Sequence, residues 1–181
     1  MKKYLLYVIA IMAIASACNI ACRKQAGSTA QQPAPQQAIS SAPQAAIGHA
    51  ADLYNFDVTL LGMNQSKGTI RFRQDPATPK VITLYTKILN LLPDHEYQLQ
   101  RAVDKINEVD GICSSNTWLT LGLGLTPHSI ITDDEGNGHE LLWRSVSAIP
   151  SGSSFDIHFQ VIDAVSHEVV LTSDCYQYTV L

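Results

Sequence analysis

The chain has 181 residues, which is room for one domain of ordinary size, and 46% of them are hydrophobic, enough to form a core. All sixteen acidic residues follow position 51, where only eight basic residues accompany them, so residues 51–181 carry a net charge of −8. An acidic domain without a basic stripe argues against nucleic acid as a partner, because phosphate binding needs clustered lysine and arginine.

The N-terminus has the layout of a secretory signal peptide. Two lysines precede an apolar run from Tyr4 to Ala17, which is shorter than the roughly 20 residues that a transmembrane helix needs. The small residues before Cys18 resemble a bacterial lipobox, in which the signal is cleaved and the cysteine receives fatty acid. We therefore expect residues 1–17 to be a lipoprotein signal peptide and Cys18 to anchor the protein in the bacterial cell envelope. The expected location is the outer membrane, facing the periplasm or the cell surface; soluble secretion and an uncleaved anchor through Cys22 are the alternatives.

The next segment has the composition of a flexible linker. Between positions 23 and 50, alanine, glutamine, proline and serine supply 20 of 28 residues. Such a segment cannot bury enough apolar surface to offset the entropy lost on ordering it. We predict a disordered tether over residues 18–50, which joins the lipid to a domain at residues 51–181.

From Leu53 onward, short segments of alternating apolar and polar residues are separated by turn residues, as in half-buried strands. The segments are 54–60, 69–73, 80–91, 96–100, 119–125, 139–148, 155–161 and 169–180. They predict an all-β domain, an antiparallel Greek-key sandwich or barrel of about eight strands. In the fifth segment four leucines occupy alternate positions, and Gly122 and Gly124 between them indicate a bulge or a close backbone approach.

The cysteine count predicts one disulfide. If Cys18 is lipidated and Cys22 stays in the tether, the domain keeps Cys113 and Cys175. Exported domains with two cysteines usually pair them, because the compartment is oxidising. We therefore predict a disulfide between these two residues, with two separate buried thiols as the alternative.

The sequence offers no convincing metal site. No two of the five histidines in the domain share a strand or a close ligand spacing, and His158 is predicted to be a solvent-facing strand residue. Residues 133–138 carry the alternating oxygens of a calcium loop, but Arg144 stands where such a loop needs its bidentate carboxylate. The Asn-Gly pair in this segment favours a hairpin instead.

A family resemblance is carried by three short motifs, at residues 92–100, 110–115 and 134–138. These motifs resemble parts of the copper-zinc superoxide dismutases. Residues 92–100 resemble the family's Leu-Pro turn, which leads to an aromatic residue and His-x-His. Residues 110–115 resemble its Gly-Asp-Cys region, and residues 134–138 resemble its Asp-x-x-Gly hairpin. The resemblance implies a Greek-key sandwich. This chain has Gln98 and Gln100 where the family places its first two copper ligands, and amides cannot replace imidazoles at a copper site. The resemblance therefore implies a dismutase-like sandwich. The departures from the family's ligands predict that it has no catalytic residues, no metal and no cofactor.

These features predict a lipid-anchored envelope protein whose sandwich is a non-catalytic binding or structural module. The membrane is reached through the N-terminal lipid, and the other partner is an unidentified protein or glycan. A degenerate dismutase-like metal-binding protein and a carbohydrate-binding module are the alternatives. Trp118 and Trp143 could stack on a sugar ring, but large aromatics in a domain of this size are more typical of the core.

Overall fold

The computed structural model describes residues 53–181, and this part of the chain is all-β. Its strands are β1 (Asn55–Gly62), β2 (Lys67–Gln74), β3 (Val81–Leu89), β4 (Glu96–Val103), β5 (Leu119–Thr120), β6 (Gly122–Leu123), β7 (Thr126–Pro127), β8 (Ile130–Ile131), β9 (Gly138–Ser145), β10 (Ser154–Asp163), β11 (Val169–Ser173) and β12 (Tyr176–Thr179). Eight strands have four or more residues and four have only two, so the prediction of an all-β domain with about eight main strands is confirmed. In residues 53–181 no helix is long and apolar enough to cross a membrane. The predicted signal peptide and tether, with Cys18 and Cys22, lie outside the described residues.

Alternation of side chains determines which face each long strand buries. In β3, Leu84 and Ile88 are fully buried, whereas Tyr85 and Lys87 beside them are exposed. Successive side chains of a strand point to opposite faces, so one row of β3 enters the core and the other forms the outer surface. The same two rows recur in β2 and β9, which pair with β3 on either side.

The strands form one sheet that nearly closes into a barrel. Its order is β5-β4-β10-β11-β1-β2-β3-β9-β6-β7, with β12 also paired to β10 and β8 to β4. The connections from β3 to β4 and from β9 to β10 cross between distant strands, as in a Greek key. The pairs are antiparallel except β6 with β9, which are parallel. Because β5 pairs with β4 and β6 pairs with β9, one short segment spans the gap between the two ends of the sheet.

The core fills the interior with residues from the inward rows of all the long strands. Phe72 lies within it and is fully buried. Its ring stacks on Phe56 at a centroid distance of 4.6 Å and meets Tyr178 edge-on at 4.9 Å. Phe159 of β10 makes a further edge contact at 6.3 Å. These contacts join β1 and β2 to β10 and β12 across the barrel.

The fifth predicted segment departs from its expected pattern. Leu121 is buried and Leu119 is half-buried, but Leu123 and Leu125 are exposed. Gly122 lies directly against the backbone of β7, so the predicted close backbone approach is confirmed. The segment therefore forms two short strands and a turn. The expectation that it is a single strand with all four leucines on one face is wrong.

Candidate functional site

A disulfide ties the long loop between β4 and β5 to the turn between β11 and β12. Cys113 and Cys175 are bonded, with Cα atoms 5.4 Å apart, so the predicted pairing is confirmed. Cys113 lies in the long loop between β4 and β5, and Cys175 lies between β11 and β12. β4 pairs with one edge of β10, and β11 and β12 pair with the other edge. The bond therefore links the β4–β5 loop to the strands on the far edge of β10.

Two aspartates also hold this loop. Asp104 accepts hydrogen bonds from the backbone N–H groups of Ser114 and Ser115, at 2.8 and 2.7 Å. The fully buried Asp156 accepts one from the N–H of Gly111 at 2.9 Å. The acidic residues of this region are thus engaged with the loop backbone, which orders the loop without secondary structure of its own.

Gln100, one of the two glutamines singled out by the sequence, belongs to a hydrogen-bonded amide network. Gln98 and Gln100 lie on the face of β4 opposite to the buried Leu99. The Gln100 side chain donates to Thr120 Oγ1 at 3.1 Å and accepts from Gln160 Nε2 at 2.7 Å. These donors and acceptors satisfy one another, and a set of neutral amides and a hydroxyl does not fit copper. Among the described residues, no three histidine, cysteine or acidic side chains converge as metal ligands would.

His158 differs from its prediction. It is half-buried, its Nε2 lies 2.9 Å from the carbonyl oxygen of Ser115, and its ring centroid is 4.6 Å from that of Trp118. The β4–β5 loop folds over this face of β10, so a position that alternation marks as solvent-facing is covered. The prediction failed because strand periodicity does not reveal where a long loop packs.

The acidic turn before β9 is a hairpin, as predicted. Asp133 Oδ1 accepts hydrogen bonds from the backbone N–H groups of Glu135 and Asn137, at 3.0 and 2.8 Å. The N–H of Gly136, which has a φ of +77°, donates to the Asp133 carbonyl at 3.0 Å. One carboxylate thus organises the turn, which explains the alternation of oxygen-bearing residues without a cation.

A contact between a histidine and an aspartate ties the turn before β4 to the end of β10. His95 Nε2 lies 2.6 Å from Asp163 Oδ2. The backbone N–H groups of Ser166 and Val165 donate to Asp163, and with His95 they lower the pKa of this carboxyl from 3.8 to about 2. Hydrogen bonds to the ionised form favour that form, which is why the pKa falls.

We expect Asp163→Asn to change how stability depends on acid. Because the folded pKa lies below the ordinary value, the ionised Asp163 stabilises the fold fully above about pH 4, and this contribution disappears as the pH falls through about 2. The difference in unfolding free energy between wild type and variant should therefore shrink from pH 4 to pH 2. Urea unfolding of both proteins at pH 7, 4, 3 and 2 measures it. Asp174→Asn, at an exposed position, is the control, and a difference that stays constant for Asp163→Asn over this range would contradict the assignment.

Five exposed apolar side chains lie on the outside of β3 and β9, at the end of β6 and on the turn that follows β6. We call this cluster the outer apolar surface; its members are Tyr85, Leu123, Leu125, Leu141 and Trp143. Tyr85 pairs with Leu141 across β3 and β9, and Leu123 pairs with Trp143 across β6 and β9. The exposed fractions run from 41% for Trp143 to 80% for Leu125.

Trp143 corrects the expectation that both tryptophans lie in the core. Trp118 is half-buried against His158, but Trp143 lies on the outward row of β9. Gly124 packs on its ring, because a Cβ at this position would meet the Trp143 ring at 2.8 Å, and the φ of Gly124 is +70°. The sequence carried no signal for this exposure, because Trp143 shares its row of β9 with the apolar Leu141, whereas the buried Leu142 shares its row with Glu140 and Arg144.

The chain matches none of the models of known protein families, and no curated protein matches it. The candidate sites therefore rest on the geometry of the domain.

Proposed function

We propose that the protein is a lipid-anchored component of the bacterial envelope whose β-barrel is a non-catalytic binding module. In this proposal Cys18 carries the lipid, residues 18–50 are the tether, and the outer apolar surface holds a partner protein. The observation that carries the binding role is this surface. Soluble domains rarely leave large contiguous apolar patches open to water, and where they do, the patch usually marks an interaction site.

The charges around the surface indicate the chemistry of the partner. Arg71 lies opposite Tyr85 across β2 and β3, and Lys87 lies two residues further along β3. Both are exposed, and in residues 53–181 neither has a carboxylate within ion-pair distance. A second copy that used the same surface would bring these cations together. We therefore infer a different protein, with an apolar segment bordered by aspartate or glutamate.

The composition of the surface favours a protein over a sugar. A sugar ring stacks on flat aromatic faces, which here are Tyr85 and Trp143. The other three members are leucines, which bury well against apolar side chains and offer no stacking face. The carbohydrate-binding alternative depends on the two aromatics alone.

The binding proposal is tested by selecting peptides from a phage-displayed random library on the purified full chain. We expect enrichment of sequences that combine aliphatic residues with aspartate or glutamate. Leu125→Ser and Trp143→Ser should weaken their binding by about tenfold or more, because truncated apolar anchors commonly cost 1–2 kcal/mol or more. Val165→Ser is the matched control, since Val165 is apolar and 76% exposed on the turn after β10.

Two outcomes would contradict the binding proposal. The first is a selection that enriches no peptide, or only basic ones. The second is binding to a glycan array that Trp143→Ser abolishes, which would instead support the carbohydrate-binding alternative.

The anchoring part of the proposal has its own test. We expect Cys18→Ser to abolish incorporation of a labelled fatty acid and to release the protein from the membrane fraction, because one residue carries the lipid. Cys22→Ser is the matched control and should label as wild type does. Labelling that survives in Cys18→Ser and disappears in Cys22→Ser would place the anchor at Cys22.

The resemblance to the copper-zinc superoxide dismutases enters this proposal as a relation of fold. Gln100 and Gln160 form an amide pair at the level where the family would hold its metal on β4. We propose that the sandwich was kept while the metal chemistry was not, and that surface contacts now provide its function.

A further inference from the structure

A cavity of about 240 Å³ lies at the end of the barrel where β4, β9 and β10 meet. Most of its wall is apolar and comes from Ile82, Val146, Ile149, Phe155, Ile157 and Tyr178. The outer apolar surface contributes nothing to this wall. The cavity is therefore separate from the site proposed above.

Two arginines enter this apolar cavity. Arg101 occupies the inward row of β4, after Leu99, and Arg144 occupies the inward row of β9, after Leu142. Both are half-buried. The strands that carry them, β4 and β9, are bridged by the short segment at 119–123, because β5 pairs with β4 and β6 pairs with β9.

Within the described part of the chain, neither guanidinium has an acidic partner. No carboxylate lines the cavity, and in residues 53–181 no aspartate or glutamate lies within ion-pair distance of Arg101 or Arg144. Arg144 Nη1 donates to the Gly124 carbonyl at 3.5 Å, which is long for a hydrogen bond, and among the described residues the Arg101 side chain has no hydrogen-bond partner. Burial and the positive charge of Arg144 lower the pKa of Arg101.

Two like charges in a partly dry cavity are costly to keep unless an anion balances them. Each guanidinium presents several N–H donors in a planar fork that matches a carboxylate. The apolar walls require that the rest of such an anion be apolar. The cavity has a volume of about 240 Å³, whereas sites for drug-sized ligands have volumes of ~300–1,000 Å³. The ligand is therefore expected to be smaller than a drug-sized molecule.

We propose that this cavity is a binding site for a small organic carboxylate with an apolar body, held by Arg101 and Arg144. The carboxylate lies between the two guanidinium groups, and the apolar body contacts Phe155 and Ile157. This site is independent of the partner surface, so either one can fail while the other stands.

The probe is 4-phenylbutyrate, which joins a carboxylate to a short aromatic tail, titrated into the purified full chain by calorimetry at pH 7. The neutral analogue 4-phenylbutan-1-ol tests whether the carboxylate is required, and inorganic phosphate tests whether the apolar body is required. We expect saturable binding of phenylbutyrate only. Arg101→Gln and Arg144→Gln should each weaken it by about tenfold, the loss expected for one charge-assisted hydrogen bond. Lys67→Gln removes the same charge from the exposed start of β2 and should leave the affinity unchanged.

A second variant separates loss of binding from loss of folding. Arg101→Met replaces a half-buried cation with an apolar side chain of similar length, and replacing desolvated charges by apolar side chains is often neutral or stabilising. We expect its melting temperature to equal or exceed that of wild type while phenylbutyrate no longer raises it. Absence of phenylbutyrate binding to wild type, equal binding of the alcohol, or equal binding of inorganic phosphate would each overturn the proposal. Full affinity in Arg101→Met would also overturn it.

Discussion

Replacing both Cys113 and Cys175 with serine should lower the free energy of unfolding by about 2–5 kcal/mol, a large part of the roughly 5–15 kcal/mol that holds a domain together. The bond joins residues 62 positions apart, so its loss increases the conformational entropy of the unfolded chain. The folded state loses its link between the β4–β5 loop and the turn after β11. Urea unfolding of the oxidised wild type and the double variant measures the difference.

Reduction provides the matched control for the disulfide. Dithiothreitol should bring the wild type to the stability of the Cys113→Ser/Cys175→Ser variant and should leave that variant unchanged. Equal unfolding curves for oxidised wild type and the double variant would show that the bond contributes nothing to stability.

Phe72→Ala should be the most damaging single substitution in the core, at about 3–5 kcal/mol, the range found for buried Phe→Ala changes. The side chain is fully buried and touches three aromatic rings, from β1, β10 and β12. Removing it opens a cavity between strands that are distant in sequence, and those rings cannot all move to fill it. Chemical denaturation monitored by near-ultraviolet circular dichroism reports both the stability and the packing of these rings.

Met63→Ala is the control for the core, because Met63 is also a large apolar residue but is 82% exposed in the turn after β1. Its loss should change stability by no more than about 0.5 kcal/mol. A cost at Phe72 as small as that at Met63 would show that the aromatic cluster is not the centre of the core.

The sequence predicted those parts of the fold that depend on local alternation or on simple counting. Leu84 and Ile88 of β3 are buried because they share one face of a strand, and period two reveals that face without any tertiary information. The pairing of Cys113 with Cys175 followed from the expectation that the domain is exported and keeps two cysteines, and the bond is present.

The parts that failed depend on contacts between distant segments. His158 is covered because the β4–β5 loop packs on β10, and no periodicity in either segment encodes that contact. Leu123 and Leu125 turn outward because Gly122 approaches β7, which redirects the chain after Leu121. Local pattern cannot anticipate either event.

The candidate sites were harder to predict than the fold, although their residues break the local pattern. Trp143 stands on the outward row of β9, and Arg101 stands on the inward, mostly apolar row of β4. Each is a side chain on the face where its chemistry is least expected. An inward arginine in a row with Leu99 is a sequence signal for a site, but strand register is needed to show that Arg144 faces the same cavity.

The most direct test of the binding role is a nuclear magnetic resonance titration of the isotope-labelled full chain with the tightest-binding selected peptide. The two tryptophans give two indole N–H signals, and they lie in different places: Trp143 in the outer apolar surface, Trp118 against His158. We expect the Trp143 indole signal and the amide signals of Tyr85 and Leu125 to shift on saturation while the Trp118 indole signal stays in place. Shifts at Trp118 with an unmoved Trp143 signal would contradict this expectation.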